Sequence, residues 1–298
     1  MSKGASFPLF PIPDEIRQAD VLFHKERGNH KSAVLHSEKI QQIIKDDVER
    51  GFALIIPIEI LNSIPLSSLA PLGCQEQTTI NEKRKKISKF RMTHDQSFLG
   101  PSGSSVNSRV NHSKLPPCMY GYCLRRIIHG ILGLRQRNQA KKIFINKFDY
   151  DAAYRRCHLA AKSAQESLTI HGNFLYMALC LTFGGSPCPN LWNCISETGT
   201  DIANMLIQNQ FWDHKSIYDN LSTTIQDPES LPDDIAFAQT KELAVNIPTN
   251  DIGKADIYID DTIGVALDKN DNVKRVSAAI PLAIHILSRP LDSLDDIP

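Results

Sequence analysis

The chain has 298 residues, of which 42% are hydrophobic and 22% charged, and its 33 Lys or Arg balance 33 Asp or Glu. That composition is ordinary for a globular protein and leaves room for one large domain or two smaller ones. The N-terminus carries prolines where a secretion signal needs an apolar run, and the most apolar stretch, GFALIIPIEIL, is broken by Pro57 and Glu59 and too short to span a bilayer. Seven irregularly spaced cysteines do not form a disulfide framework. We therefore expect an intracellular, reduced protein with no membrane partner, in the cytoplasm or the nucleus.

Residues 1–35, with Pro8, Pro11 and Pro13, read as a loosely ordered N-terminal extension. From His36 to Gly51 the spacing of Ile40, Ile43, Ile44 and Val48 predicts a helix stopped by glycine. GFALIIPIEIL follows as a strand interrupted at Pro57. Ala70 to Gln96 reads as a hairpin, two β-prone runs around the polar turn Asn81-Glu82-Lys83-Arg84. Gly100 to Ser113 is turn-rich loop. Tyr120 to Asn138 has helical periodicity, with Leu124, Ile127, Ile128, Ile131 and Leu132 as its apolar face and Arg125, Arg126, Arg135 and Arg137 on the other.

KKIFINKFDYDAAY, Lys141 to Tyr154, reads as a strand with Asp149 near its end. A hairpin follows, from Glu166 to Ile170 and from Phe174 to Phe183. Pro189 opens a long helix to Trp212. Residues 213–255 are polar and rich in Asp and Pro. ADIYIDDTIGVAL, Ala255 to Leu267, reads as a second hairpin turning at its two aspartates. Asp271 to Pro290 closes as a helix, with Pro281 as an expected kink.

The balanced net charge hides an asymmetry. Residues 81–147 hold 15 Lys or Arg against Glu82 and Asp95, a local excess of about +13. Residues 201–298 hold 17 acids and 7 bases, about −10. Two solvated faces that cancel are the ordinary reading. The same pattern also suits a chain that holds a polyanion with one part and divalent metal with another.

Asp260 and Asp261 sit side by side in an apolar, β-prone run. Neighbouring strand residues point to opposite faces, but at a hairpin turn both can reach one ion. Apolar surroundings push one of two such carboxyls towards its protonated form, and a divalent cation removes that penalty. Hard oxygen ligands suit Mg²⁺. Asp149, at the end of another apolar strand, is the candidate third ligand. Two such ions about 4 Å apart stabilise the attacking and leaving oxygens of an in-line phosphoryl transfer. The pairs Asp46-Asp47, Asp233-Asp234 and Asp295-Asp296 read as solvated turns or helix faces. The cysteine pairs lack zinc spacing, Ser186 lacks a nucleophile elbow, no histidine is assigned to catalysis, and Trp192 and Trp212 read as core.

Four motifs in order resemble the fingers and palm of retroelement reverse transcriptases, over about Leu54 to Pro290. They are KFRMTHD (Lys89 to Asp95), FDYDAAY (Phe148 to Tyr154), LTFGGSPCPNLW (Leu181 to Trp192) and YIDD (Tyr258 to Asp261). The resemblance implies an α+β fold. It would be a right-hand polymerase's fingers (36–147) and palm (148–298), the palm a ferredoxin-like antiparallel sheet on helices, with an insertion at about 213–255. It implies a retrotransposon's RNA-directed DNA polymerase, a nucleotidyltransferase adding dNTP to a primer 3′-hydroxyl on an RNA or DNA template. Asp149, Asp260 and Asp261 would hold two Mg²⁺, or Mn²⁺ in their place. Arg91 would bind the triphosphate, Tyr154 would sit under the sugar and reject a 2′-hydroxyl, and Gly184 would let the backbone approach the nucleotide.

Two features depart from the family pattern: the long segment around Lys215 to Asp251, and an end only 37 residues after Asp261. That end leaves no room for a thumb, so the chain reads as a fragment that works with further polyprotein domains such as thumb, RNase H, integrase or recombinase. The alternative is an inactive retroelement remnant that binds nucleic acid through the basic segment. A palm polymerase that makes RNA is a third reading, which Tyr154 opposes.

Overall fold

Antiparallel pairing builds all the sheets among the described residues of the computed structural model, which are 4–80, 84–215 and 250–288. The chain divides into two compact units, Met1–Pro116 with Ala152–Leu191, and Pro117–Asp151 with Trp192–Pro298.

The first unit opens with helices α1 (Asp14–Arg27), α2 (Lys31–Leu35) and α3 (Ser37–Glu49). The N-terminal stretch is thus not the loose extension expected. Asp14 and Glu15 complement the positive end of α1, and Gly28, at φ 73°, closes it. Ala5 and Phe7 are buried, and residues 5 and 9 bridge to Leu159 and Val110. The three prolines conceal these anchors, because a two-residue bridge has no periodicity to read.

Strand β1 (Ala53–Pro57) ends at its proline, as expected, and a 3-10 turn follows. The hairpin β2 (Leu72–Ile80) and β3 (Lys86–His94) pairs over its full length, Leu72 opposite His94 and Ile80 opposite Lys86. Short helix α5 (Ala161–Gln165) leads to β5 (Leu168–His171) and β6 (Phe174–Ala178), with sheet order β1-β6-β5. Strand β6 stops at Ala178, short of the expected Phe183. Only an isolated bridge, His158 to Cys180, continues the pairing. Leu72, Leu168 and Leu175 are fully buried in this unit, each contributing roughly 1.5–3 kcal/mol of burial.

The second unit contains helix α4 (Cys123–Arg137), strand β4 (Ile143–Asp149), most of helix α6 (Cys188–Gln208), strands β7 (Gly253–Tyr258) and β8 (Asp261–Leu267), and helix α7 (Asn272–Ser288). The sheet order is β4-β8-β7. Side chains alternate across it. Ile143, Ile263, Val265 and Leu267 pack on α4, while Ala255 and Ala266 pack on Ala203 and Ile207 of α6 and Val276, Ala279 and Ile280 of α7. Helix α7 runs through Pro281.

The buried stripe of α4 agrees with the expected one at Ile127, with Ile131 packed against it, and differs elsewhere. It is Cys123, Ile127, Gly130, Gly133 and Leu134, whereas Leu124 is 69% exposed and Ile128 44%. Counting large aliphatic residues missed the rest because glycine makes the closest approach. A Cβ at Gly130 would stand 2.8 Å from Cδ of Lys254. The expected insertion at 213–255 falls mostly at 216–249, outside the described residues, as do Lys83 at the hairpin tip and the pairs Asp233-Asp234 and Asp295-Asp296.

Candidate functional site

The second unit's sheet brings Asp149, Asp260 and Asp261 to one end. Strands β4 and β8 are in register there, with Asp149 directly opposite Asp261. Strands β7 and β8 turn between Tyr258 and Asp261, so Ile259 and Asp260 form the turn. One carboxylate oxygen from each of the three aspartates lies within 4.8 Å of the others. Asp149 is exposed, and Asp260 and Asp261 are half-buried. The three motif aspartates, distant in sequence, therefore form one cluster of hard oxygen donors open to solvent, and that donor set fits Mg²⁺ or Mn²⁺.

The turn is held in an uncommon shape. Ile259 has φ 58°, a left-handed conformation that a β-branched side chain rarely adopts. Trp192 donates its indole N–H to the Ile259 carbonyl at 2.6 Å. The Tyr150 N–H donates to the Asp260 carbonyl at 3.1 Å. Tyr150 stacks edge-on against Trp192, at 5.1 Å between ring centres, and burial pushes its phenol up to about 12. Trp192 is core, as expected, and it also fixes the backbone that carries Asp260.

On the same face, Lys147 Nζ lies 2.7 Å from Asp261 Oδ1. The partnership with Asp261, helped by Asp149 and Asp260, raises the lysine's pKa. Sequence reading counted Lys147 only as part of the basic segment. Its position two residues before Asp149 on a strand was the available signal.

Further along β7, Asp256 is buried and held by both sides of the Arg126 guanidinium, with Nε 2.8 Å from Oδ2. Arg126 also reaches Glu197 at 3.0 Å, and Lys254 reaches Asp256 at 3.2 Å. These carboxylates hold the arginine's proton more firmly than usual. The expected outer face of arginines on α4 holds for the exposed Arg125 and Arg137 and is corrected at Arg126. Arg126 ties α4 to the sheet, Arg137 pairs with Asp251 at 2.9 Å, and Arg135 donates to the carbonyls of Gln139 and Lys141. Arg125 lies 6.0 Å from the Tyr122 ring.

Arg91, Tyr154 and Gly184 all belong to the first unit. Arg91 lies over the exposed Phe183 ring at 5.9 Å, and Tyr154 packs against the same ring at 5.4 Å. Phe183, not singled out from sequence, is thus the common neighbour of the cation and the tyrosine. Gly184 has a local reason of its own to be glycine. Its φ is 128°, and a Cβ there would collide with the His94 carbonyl oxygen. Asn107 accepts from the Ser186 N–H and donates to the Gly184 carbonyl, clamping this loop.

Behind Tyr154, Arg155 pairs with Asp47 at 2.9 Å, and the Tyr176 hydroxyl donates to Asp47 at 2.7 Å. Asp47 is therefore buried rather than on a solvated helix face, because a partner distant in the sequence reaches it. The His94 ring packs on Tyr176 at 5.4 Å, and neither of its nitrogens has a hydrogen-bond partner. Burial, with Arg155 adding to it, lowers its pKa to about 3.

No protein-family profile matches the sequence, and no curated protein matches it. Solved structures do. The chain is similar to a foamy viral protease–reverse transcriptase in complex with double-stranded DNA, at 12% identity over 95% of this chain and 35% of that one, with a TM-score of 0.46. It is also similar to the native prototype foamy virus protease–reverse transcriptase, at 12% identity over 96% of this chain and 25% of that one (TM-score 0.41), and to its CSH mutant, at 11% identity over 94% and 23% (TM-score 0.40). The chain spans little more than a third, or less, of those chains' length. All three TM-scores are below 0.5, so the functional reading of this chain stands on its own residues. Among the described residues, no helix is long and apolar enough to cross a membrane.

Proposed function

We propose that the chain is the fingers-like (36–147) and palm-like (148–298) part of a retroelement's RNA-directed DNA polymerase, adding deoxynucleotides to a primer 3′-hydroxyl. The convergence of Asp149, Asp260 and Asp261 at one sheet end carries this reading. They are the carboxylates of two motifs that resemble the family's. Two Mg²⁺ bound there would supply electrostatic stabilisation of the entering and departing oxygens.

The chain's own residues would do the rest. The half-buried turn would hold Asp260 and Asp261 in fixed positions through Trp192 and Tyr150. A site built on hydrogen-bonded strands keeps its ligands preorganised. Arg91 would bind the triphosphate through its planar guanidinium. Tyr154, braced by Phe183, would sit under the sugar and exclude a 2′-hydroxyl, and Gly184 would allow close backbone approach. Template, primer and further domains of a polyprotein are the partners this reading requires.

The test is primer extension on poly(rA)/oligo(dT) with Mg²⁺, comparing the chain with the Asp260→Asn, Asp261→Asn double variant. The expected result is incorporation by the parent and a loss of at least about a thousandfold in the variant, as when members of a catalytic unit are removed together. Equal incorporation by both would sink the assignment. The excess of about +13 over residues 81–147 favours a second reading, a remnant that binds nucleic acid without chemistry. It requires salt-sensitive binding and no incorporation even when further domains are supplied.

A further inference from the structure

Asp149 and Asp261 face each other directly across two strands, and Asp260 precedes Asp261 in the turn. Like charges opposite one another loosen a strand pair. Something positive must offset them when no ion is bound. Lys147 lies on the same face of β4 as Asp149, two residues before it. Opposite it stands Ile263, so its ammonium reaches diagonally to Asp261, at 2.7 Å. The lysine side chain is 59% exposed, and that of Asp261 is 32% exposed. A lysine is a compact charge on a flexible stem, able to leave one carboxylate for solvent without moving the backbone.

We propose that Lys147 is the resident counter-ion of the carboxylate cluster, neutralising Asp261 in the metal-free chain and giving way when a divalent cation is taken up. The proposal rests on the metal reading of the three aspartates and adds a control to it. Lys147 sets how much cation is needed to fill the site. It competes for Asp261 and repels the arriving ion. Removing it leaves the three ligands in place and frees one of them. A unit charge at about 5 Å from a divalent ion, even in water-like surroundings, is worth about tenfold or more in affinity.

The experiment titrates Mn²⁺ into the full chain and reads free Mn²⁺ by electron paramagnetic resonance. Lys147→Met and Lys147→Gln are compared with Lys147→Arg, Asp149→Asn and the parent. The expected result is binding about tenfold tighter in Lys147→Met and Lys147→Gln, within about threefold of the parent in Lys147→Arg, and clearly weaker in Asp149→Asn. Thermal melts provide a second readout. Metal-free Lys147→Met melts below the parent, and saturating Mn²⁺ closes the gap. If Asp149→Asn weakens binding while Lys147→Met and Lys147→Gln bind no tighter than the parent, the counter-ion role is overturned and the metal reading stands. A melting gap that Mn²⁺ leaves unchanged also overturns the counter-ion role alone. If Asp149→Asn binds like the parent, the metal reading fails and the counter-ion role falls with it.

Discussion

At the scale of single residues, burial decides what each polar group does. His94 is enclosed with neither nitrogen partnered, and its pKa is lowered to about 3 by burial and then by Arg155. The unfolded chain takes up a proton on this histidine near 6.5, while the folded chain does not until about pH 3. Protonation therefore favours unfolding, and the contribution to stability is lost as pH falls below 6.5. The slope reaches at most about 1.4 kcal/mol per pH unit. His94→Phe keeps the ring against Tyr176 and removes both unpaired nitrogens. Urea unfolding of the variant at pH 7.5, 5.5 and 4.5 is expected to show unchanged or higher stability at the first, with a shallower fall towards the last, where the pH values are chosen to be about one to two units either side of the histidine's unfolded range. A fall as steep as the parent's would refute this. Gly184 makes a sharper case. With φ at 128° and no room beside the His94 carbonyl, Gly184→Ala should cost about 2–4 kcal/mol by the same unfolding measurement, from strain and displacement together. A loss under about 0.5 kcal/mol would mean that the glycine is tolerated there for another reason.

At the scale of elements, α4 shows how a helix can present a different face from the one its large aliphatic residues mark. Leu124 and Ile128 follow the helical period yet face outward, while Cys123, Ile127, Gly130 and Leu134 meet the sheet. The small residues let the helix come close enough for Arg126 to reach Asp256. Leu124→Ser is accordingly expected to change stability by less than about 0.5 kcal/mol. Arg126→Met strips the buried Asp256 of its bidentate partner and leaves it with Lys254 and the Ile257 N–H. A loss of about 3 kcal/mol is expected, since breaking a buried pair leaves an uncompensated charge. Chemical denaturation of the two variants side by side checks both values. A larger loss in Leu124→Ser than in Arg126→Met would restore the face that sequence periodicity suggests.

At the scale of the whole molecule, the charge asymmetry is the feature that bears on partners. The basic segment has fewer cations to offer than its count implies. Arg109 is buried with Glu166 and Ser68, Arg126 holds Asp256, and Arg137 holds Asp251. If the chain binds nucleic acid as proposed, affinity measured by fluorescence anisotropy with a labelled primer-template should reflect fewer phosphate contacts than one per basic residue; we take about five as the value to test. The affinity would then fall about 500-fold between about 50 and about 200 mM salt. Affinity that is flat across that range would remove the segment from the binding surface.

The local grammar of this chain was legible in its sequence. Alternation and turn residues marked the β2–β3 hairpin and the β7–β8 hairpin. An acid at the end of one apolar strand and a pair at a later turn marked Asp149, Asp260 and Asp261 as candidates one by one, while their meeting is the work of the β4–β8 pairing. Such marks are properties of short segments, where neighbouring residues dictate which side chains share a face. What the tertiary structure alone decided involves partners far apart in the chain: Arg126 with Asp256 at a separation of 130 residues, Asp47 with Tyr176 at 129 and with Arg155 at 108. The same holds for the anchoring of residues 4–10 and for the carbonyl that crowds Gly184. A charged residue can lie on the surface of an isolated element and be buried once another element covers it. Periodicity records only the element, and the covering partner supplies the energy that makes burial tolerable.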